Sequence, residues 1–331
     1  MRTTPSIAAM AAVLLAACGA QDAASLPKLQ IDADRVTVSG ISSGAIMAHQ
    51  VHVAWSRLVD GAGIVSGPPY GCSEGKMDVA LKRCVAPKQE GPDTAALVQV
   101  VRDRAAKAQI DPVEGIAGDR VWVFHGTGDT VVSESVTAAT ADLYEALGAD
   151  VEREFSQAAA HVFPTLATGG DCGAVVSPFI GKCGYDAAGE IFRRVVGGVQ
   201  APAAQATGEL VAFDQRPFAA EGADPVLGGK GFLYIPPQCK SGSCGLHIAF
   251  HGCQQSEQQV GDAFAAGAGY NAWADAADVV VLYPQTRSSM MPLNPKACWD
   301  WWGVTGAEFD TRQGAQLRWL ANVLAALGVK V

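Results

Sequence analysis

The chain has 331 residues, of which 49% are hydrophobic and 17% are charged. This composition excludes a largely disordered chain and is typical of a globular protein with a well-buried core. A net charge of -9 without a run of Lys or Arg argues against nucleic acid or an anionic membrane surface as a partner. We therefore expect a neutral ligand.

The first 18 residues have the pattern of an export signal. Arg2 precedes an apolar stretch at 7–17 that is too short to cross a bilayer. The sequence from Leu15 to Cys18 resembles a bacterial lipobox, which makes Cys18 a lipidation candidate, and an ordinary signal with a stray cysteine is the alternative. We predict an exported protein that is periplasmic, an outer-membrane lipoprotein or extracellular, with a lipid anchor as its one membrane contact.

Strand and helix patterns alternate along the rest of the chain. A linker is predicted at 19–30, and a single domain without an internal repeat at 31–331. Short β-branched or apolar runs predict strands, and apolar residues three or four apart predict helices. In chain order these patterns predict a strand at 35–39, a helix at 43–56, an apolar run at 62–65, a strand at 121–125, a helix at 133–147, and strands at 151–155, 231–236, 246–252 and 279–285.

Two further helices are expected, one between the last two strands and one at the C-terminus. Asp310 is a possible N-cap of the C-terminal helix, and Gly328 lies past its end. Its apolar face carries Leu317, Leu320, Leu324 and Leu327. The Ala/Gly/Pro-rich segment at 185–228 stays ambiguous. Strands separated by helices predict an α/β fold, with a mostly parallel central sheet and helices on both faces.

A nucleophile elbow is predicted between the first strand and the first helix. Residues 40–44 read Gly-Ile-Ser-Ser-Gly, the G-x-S-x-G pattern. A serine hydroxyl attacks well only when an imidazole takes its proton and a carboxylate orients that imidazole. Asp129 and His161 each follow a predicted strand, in the order that α/β-hydrolases use. We therefore predict Ser42, Asp129 and His161 as the catalytic residues.

The other histidines have structural interpretations. His49 and His52 lie on the helix after the elbow, and His125 and His247 lie in or at the end of strands. His251 is predicted to shape the turn of the HGCQQ loop at 251–255. The tetrahedral intermediate needs two hydrogen-bond donors, and the backbone N–H groups of Ser43 and Cys253 are the candidates for this oxyanion hole.

The order of these motifs is unusual, because the elbow comes almost first and the HGCQQ loop comes late. The usual hydrolase order returns if the strands at 231–236, 246–252 and 279–285 and the C-terminal helix are placed ahead of residue 31. The chain is therefore predicted to be a circularly permuted α/β-hydrolase. Permutation is feasible because domain termini tend to lie at the surface and close together.

Eight cysteines follow Cys18, which in an exported chain indicates up to four disulfides. Eight cysteines allow about 105 pairings. Local closure favours Cys72 with Cys84, Cys172 with Cys183, and Cys239 with Cys244, which leaves Cys253 for Cys298. These spacings do not resemble a metal site, and we expect neither a metal nor an organic cofactor.

Five motifs together resemble the extracellular or periplasmic poly(3-hydroxybutyrate) depolymerases of the permuted catalytic-domain type, over about 31–331. They are GISSG at 40–44, HGTGDTVV at 125–132, AHVFPT at 160–165, HGCQQS at 251–256 and NPKACWDWWG at 294–303. The resemblance implies a serine hydrolase that cleaves ester bonds of this polymer or its oligomers through an acyl-enzyme. It implies the same triad and oxyanion donors.

The resemblance also implies substrate-binding roles for Asn294 and Trp299, with Trp301 and Trp302 left as packing. An aromatic crevice suits a neutral, methyl-decorated polyester. Since there is no room for a separate polymer-binding domain, we expect action on short or amorphous polymer or on oligomers, rather than on crystalline granules. We also expect a monomer. The alternatives are a secreted carboxylesterase acting on acetyl or feruloyl esters of polysaccharides, and a non-enzymatic surface lipoprotein.

Overall fold

The computed structural model describes residues 25–86 and 91–331. The predicted export signal at 1–18, including Cys18, lies outside the described residues, as does the predicted linker up to residue 24. The remainder of that linker leads directly into the first strand, which begins at Gln30.

Thirteen strands and nine α-helices are present in these two stretches. The strands are β1 (Gln30–Ile41), β2 (Val59–Val65), β3 (Arg120–Phe124), β4 (Asp150–Glu154), β5 (Phe163–Thr165), β6 (Gly170–Asp171), β7 (Ile180–Lys182), β8 (Glu209–Asp214), β9 (Lys230–Ile235), β10 (Ser243–Phe250), β11 (Val279–Tyr283), β12 (Ser289–Met290) and β13 (Leu293–Asn294). The helices are α1 (Ser43–Ala54), α2 (Met77–Arg83), α3 (Thr94–Ala106), α4 (Glu134–Ala146), α5 (Ala187–Ile191), α6 (Glu257–Val260), α7 (Ala263–Gly267), α8 (Tyr270–Ala277) and α9 (Ala315–Ala326).

Eight of the strands form one sheet in the order β4-β3-β2-β1-β10-β11-β9-β8. β1 lies in the middle, parallel to both β2 and β10, and parallel pairing continues outward to β4 on one side and β11 on the other. β9 runs antiparallel to both of its neighbours, β11 and β8. The predicted α/β fold with a mostly parallel sheet is therefore confirmed.

Helices cover both faces of this sheet. Because successive side chains of a strand point to opposite faces, each strand contributes to two cores. In β3, Val121 and Val123 belong to the core shared with α1, α3, α4 and α9. Trp122 and Phe124 belong to the second core, shared with α5, α7 and α8. A sheet buried on both faces explains why its central strands are apolar almost throughout.

The strand order confirms the predicted circular permutation. If the chain is read from β8 to β11 and then from β1 to β4, the order across the sheet becomes 1-2-4-3-5-6-7-8, that of the α/β-hydrolases. In this reading the HGCQQ loop follows the third strand, where that fold carries its oxyanion loop. β8 lies within the ambiguous segment at 185–228, and as a short edge strand it carries little periodic signal.

The part of the chain after β10 differs from the prediction in two details. α9 begins at Ala315 with Gly314 as its N-cap, so Asp310 is not the cap. Asp310 is instead buried, with its carboxylate paired to Arg104 and its carbonyl accepting a hydrogen bond from Tyr70 Oη. Burial raises the pKa of Asp310 to about 6, and Arg104 offsets part of that rise. Three short helices, α6 to α8, replace the single helix expected between β10 and β11.

Four disulfides join the cysteines in the pairs that local closure predicts: Cys72–Cys84, Cys172–Cys183, Cys239–Cys244 and Cys253–Cys298. Disulfides persist in oxidising compartments, so they indicate an exported protein. No helix within 25–86 or 91–331 is long and apolar enough to cross a membrane.

Candidate active site

Ser42 occupies a sharp turn between β1 and α1. Its backbone has φ 57° and ψ -123°, a conformation that a non-glycine residue adopts only where the surroundings enforce it. The surroundings here include β2, because Ser42 N donates to Val65 O at 2.9 Å. This geometry exposes the serine side chain at the carboxyl end of the sheet, as a nucleophile elbow requires.

The two glycines of the elbow are required by close backbone contacts. A Cβ at Gly40 would lie 2.3 Å from Gly44 O, and a Cβ at Gly44 would lie 2.3 Å from both Phe250 O and His251 O. The second contact brings the start of α1 against the end of β10 and the HGCQQ loop. The pattern G-x-S-x-G therefore sets the distance between the serine and this loop.

We expect Gly44→Ala to lower the free energy of unfolding by about 1–3 kcal/mol or more, because backbone atoms cannot yield as a side chain can. Chemical denaturation of the purified variant measures this loss. Gly229→Ala is the matched control, since a Cβ at Gly229 meets no atom within 4 Å. Equal denaturation midpoints for the two variants would contradict the steric explanation.

Asp129 and His161 form a hydrogen-bonded pair on neighbouring loops. Asp129 follows β3 and His161 follows β4, and the two strands are parallel neighbours in the sheet. His161 Nδ1 donates to Asp129 Oδ2 at 2.7 Å. The second carboxylate oxygen, Oδ1, accepts from Val131 N at 2.8 Å and from Val132 N at 2.9 Å. The structure therefore brings together the two residues that the sequence places 32 positions apart.

This pair is electrostatically suited to hold one tautomer of the imidazole. Burial alone would raise the pKa of Asp129, but the hydrogen bond and charge of His161 and the two backbone N–H groups outweigh burial and lower it. An ionised carboxylate accepts a hydrogen bond from Nδ1–H and keeps the proton on Nδ1, so Nε2 of His161 is left free to accept a proton.

The remaining histidines are buried, and their hydrogen bonds are made with residues other than Ser42. His49 stacks on Tyr144 with ring centroids 4.2 Å apart, and burial holds its pKa well below its ordinary value. His52 contacts Asp119 at 2.9 Å. The structural interpretation of these histidines, and of His125 and His247, is in keeping with their burial. His251 also shapes its loop as predicted, since its Nδ1 donates to Gly252 O at 2.6 Å.

The two residues that carry the candidate oxyanion donors, Ser43 and Cys253, are in side-chain contact next to the elbow. Ser43 is the first residue of α1, where backbone N–H groups have no partner within the helix. Cys253 lies in the HGCQQ loop, and its Sγ is 3.3 Å from Ser43 Oγ. The Cys253–Cys298 disulfide ties this loop to the segment that carries the tryptophans.

Ser42 and His161 open onto a cleft of about 650 Å³ with a mostly apolar lining. Ser43, Cys253 and Asn294 line the same cleft. Its apolar wall comes from segments far apart in the sequence: Ile46, Pro68, Met77, Leu81, Val85, Val131, Val132, Val175, Phe179, Leu293, Trp301 and Trp302. A cavity of this volume and character suits a small neutral ligand.

The aromatic part of the wall differs from the prediction. Trp299 has 0% of its surface exposed and packs against Phe250 and His251, whereas Trp301 and Trp302, expected to be packing residues, line the cleft. Asn294 lines the cleft, but its side chain exchanges two hydrogen bonds with the backbone of Cys298.

Asp300 explains this arrangement of the tryptophans. Its carboxylate accepts backbone hydrogen bonds from Trp302, Gly303, Val304 and Thr305, and one from the Thr305 hydroxyl. The chain after Trp299 is therefore folded around a buried carboxylate, which turns Trp301 and Trp302 toward the cleft. Asp300 is not among the site residues predicted from the sequence, although an Asp before a Gly and a Thr is a typical turn signal.

The permuted sheet, the Ser42 elbow and its histidine–aspartate pair define an α/β-hydrolase of the serine type. Residues 230–326 match the family model described as esterase PHB depolymerase. The chain belongs to this family, because a relative in the same family is 33% identical to it over nearly the whole length of both chains.

Two curated relatives support this assignment. The chain is 36% identical over 321 residues to a poly(3-hydroxybutyrate) depolymerase of Delftia acidovorans, a match that covers 94% of this chain and 63% of the relative. It is 33% identical over 327 residues to a polyhydroxybutyrate depolymerase of Talaromyces funiculosus, which covers 92% of this chain and 93% of the relative.

Two solved structures have the same fold. One is a serine-to-alanine variant of a PHB depolymerase complexed with an R3HB trimer, with a TM-score of 0.84 and 27% identity, covering 93% of this chain and all of the other. The second is the PHB depolymerase from Penicillium funiculosum, with a TM-score of 0.81 and 28% identity, covering 93% of this chain and 98% of the other.

Proposed function

We propose that this protein hydrolyses the ester bonds of poly(3-hydroxybutyrate) or its oligomers through an acyl-enzyme on Ser42. One observation carries the proposal: Ser42 and His161, whose Nδ1 is bonded to Asp129, open onto a single apolar cleft in a chain of the PHB depolymerase family. The same side chains would serve any carboxylic ester, so the substrate assignment rests on the cleft and on the relatives.

In the first half of the reaction, Ser42 Oγ forms a bond to the ester carbonyl carbon while its proton moves to Nε2 of His161. The C–O bond to the alcohol then breaks, and His161 returns the proton to the leaving alkoxide oxygen. In the second half, His161 takes a proton from water as the water oxygen bonds to the acyl carbon. The bond between that carbon and Ser42 Oγ then breaks, and His161 returns the proton to Ser42 Oγ. Asp129 stabilises the imidazolium in both halves.

The negative oxygen of each tetrahedral intermediate is assigned to the N–H groups of Ser43 and Cys253. Ser43 N–H lies at the N-terminus of α1, where the helix dipole also favours negative charge. Donors fixed in place before the reaction do not need to reorient during it, which makes them effective. The disulfide beside Ser43 helps to keep both donors in place.

The test is hydrolysis by the purified mature protein of an amorphous poly(3-hydroxybutyrate) suspension and of the soluble (R)-3-hydroxybutyrate trimer. We expect clearing of the suspension and release of shorter acids from the trimer. Acetyl and feruloyl esters of polysaccharides are the comparison substrates. Rapid turnover of those esters without action on the polymer or the trimer would move the function to the carboxylesterase alternative.

Exposed apolar residues around the cleft support contact with an insoluble polymer. Among the described residues, ten large apolar side chains are exposed, and five of them line the cleft. Those five are Met77, Leu81, Val131, Val175 and Leu293. The β12–β13 hairpin, which carries Leu293, also presents Met290 (77% exposed) and Met291 (91% exposed). An apolar patch around a cleft is a typical interaction surface.

Replacing Met290 and Met291 by serine is expected to weaken adsorption to polymer film by about threefold or more, because two exposed thioether side chains are lost from the patch. Hydrolysis of the soluble trimer should change little. The depletion of protein from solution over a film measures adsorption, and Val331→Ser is the control for an exposed apolar residue. Unchanged adsorption would contradict a role for this hairpin.

We further propose that the exported protein acts as a monomer and that Cys18 anchors it to the outer membrane. The lipobox-like sequence is the support for this location. Metabolic labelling with a radioactive fatty acid tests it, and labelling that persists in a Cys18→Ser variant would refute the anchor.

A further inference from the structure

We propose that His251 and Gln255 are positioning residues that hold Gly252 from two sides and thereby aim Cys253 N–H at the substrate oxyanion. This inference rests on the proposed function, since it concerns the donor assigned to that reaction. Neither side chain is needed to touch the substrate, because each acts on a peptide group of the HGCQQ loop.

His251 fixes the peptide group that joins Gly252 to Cys253. Its Nδ1 donates to Gly252 O at 2.6 Å, and its Nε2 accepts from Thr286 N at 3.2 Å. The Thr286 N–H therefore selects the tautomer that carries the proton on Nδ1. In a trans peptide the C=O and N–H point in opposite directions, so fixing Gly252 O also fixes the direction of Cys253 N–H.

Gln255 fixes the peptide group on the other side of Gly252. Its Oε1 accepts from Gly252 N at 2.7 Å, and only 1% of Gln255 is exposed. This bond occupies the N–H that precedes the proposed donor, so Gly252 N–H does not compete for the oxyanion. Gln254, between the bonded positions, adopts a left-handed conformation with φ 64°, which the bonds on Gly252 and the bond from Gln254 N to Lys296 O maintain.

The same glutamine joins this loop to the segment beside the catalytic histidine. Gln255 Nε2 donates to Pro178 O at 2.9 Å and to Phe179 O at 3.1 Å. Phe179 O also accepts from Phe163 N at 2.9 Å, and Phe163 is two residues after His161. One buried side chain thus sets the HGCQQ loop at a fixed distance from the loop that carries the base.

His251 is neutral at neutral pH. Burial lowers the pKa of His251 to about 4, although its bond to Gly252 acts in the opposite direction. The imidazole therefore keeps one donor and one acceptor, as the contacts with Gly252 and Thr286 require. The hydrogen bonds of His251 and Gln255 to Gly252, which together form the Gly252 clamp, are thus compatible with a neutral imidazole at His251.

The test compares Gln255→Met with Gln215→Met. Gln215 is a matched control because it is also 1% exposed, accepts one backbone N–H, from Gln285 at 2.9 Å, and donates to the carbonyls of Gly228 and Gln285 at 2.8 Å. Each substitution removes one bond accepted from a backbone N–H and two bonds donated to backbone carbonyls, so a similar loss of stability is expected for the two variants.

We expect kcat on the soluble trimer to fall by about 10-fold to 100-fold in Gln255→Met, with KM changed by less than about threefold. The inhibition constant of butylboronic acid, whose adduct with Ser42 mimics the oxyanion, should rise by a similar factor. Gln215→Met should leave both quantities within about threefold of the wild type. A merely structural Gln255 would not raise the inhibition constant of the tetrahedral mimic.

Gln255→Glu is the second variant, for use if Gln255→Met does not fold. It keeps an acceptor for Gly252 N–H and loses the donors to Pro178 and Phe179, so a smaller fall in kcat is expected. Equal kcat values for the Gln255 and Gln215 variants, with an active wild type, would overturn the clamp alone. A wild type that hydrolyses no ester would overturn the clamp and the proposed function together.

Discussion

Replacing Ser42 by alanine is expected to lower kcat for the (R)-3-hydroxybutyrate trimer by about 10⁴-fold or more, because the attacking oxygen is removed. Stability should change little or rise, since alanine at this position removes no hydrogen bond that the fold needs. Single-turnover measurement of acid release from the trimer gives the rate, and mass spectrometry after treatment with a fluorophosphonate shows whether the variant still forms a covalent adduct.

The neighbouring serine provides the control for this experiment. Ser43→Ala keeps the backbone N–H assigned to the oxyanion, and loses a hydroxyl that accepts from Trp299 N at 3.3 Å. We expect it to retain activity within about tenfold of the wild type, because one buried hydrogen bond contributes about 1 kcal/mol. If Ser43→Ala lost as much activity as Ser42→Ala, the assignment of the nucleophile to Ser42 would be wrong.

The second large effect is expected for Asp129→Asn, with a fall in kcat of about 10⁴-fold. The contacts of Asp129 explain this expected fall in kcat. Val131 N and Val132 N both donate to Oδ1, so the asparagine oxygen will take that place and its NH2 group will face His161. His161 Nδ1 must then accept a hydrogen bond, which leaves the proton of the ring on Nε2. A protonated Nε2 cannot accept the proton of Ser42.

The trimer assay at neutral pH measures this fall, with circular dichroism to show that the fold persists. Asp103→Asn is the control, since Asp103 is exposed on α3 and carries the same charge. A residual kcat of more than about a tenth of the wild-type value would show that another group orients His161.

The features that could be predicted from the sequence depend on local contacts or on simple order. Gly40 and Gly44 flank the serine because no other residue fits the turn, and Asp129 and His161 follow consecutive parallel strands. Three disulfides close short loops, with sequence separations of 5 to 12 residues. In each case the chemistry restricts residues that are neighbours along the chain or are ordered by the sheet.

The features that could not be predicted depend on contacts between distant segments. Trp299, Trp301 and Trp302 are close in sequence, but Trp299 is buried because it packs against Phe250 and His251 at the end of β10. Asp310 has the local pattern of a helix cap, but Arg104, 206 positions earlier, draws it into the interior. Gln255 likewise has no distinctive pattern, because the two carbonyls to which its Nε2 donates lie in a loop 76 and 77 positions away.

The central position of β1 has a consequence for how the exported chain acquires activity. β1 comes first in the described chain, yet one of its two neighbours in the sheet is β10, which ends at Phe250. Contacts between such distant segments form slowly during folding. A chain that crosses the membrane from its N-terminus delivers Ser42 early, but the strand that precedes Cys253 arrives only after about three quarters of the protein. We therefore expect hydrolysis to begin only when translocation is nearly complete.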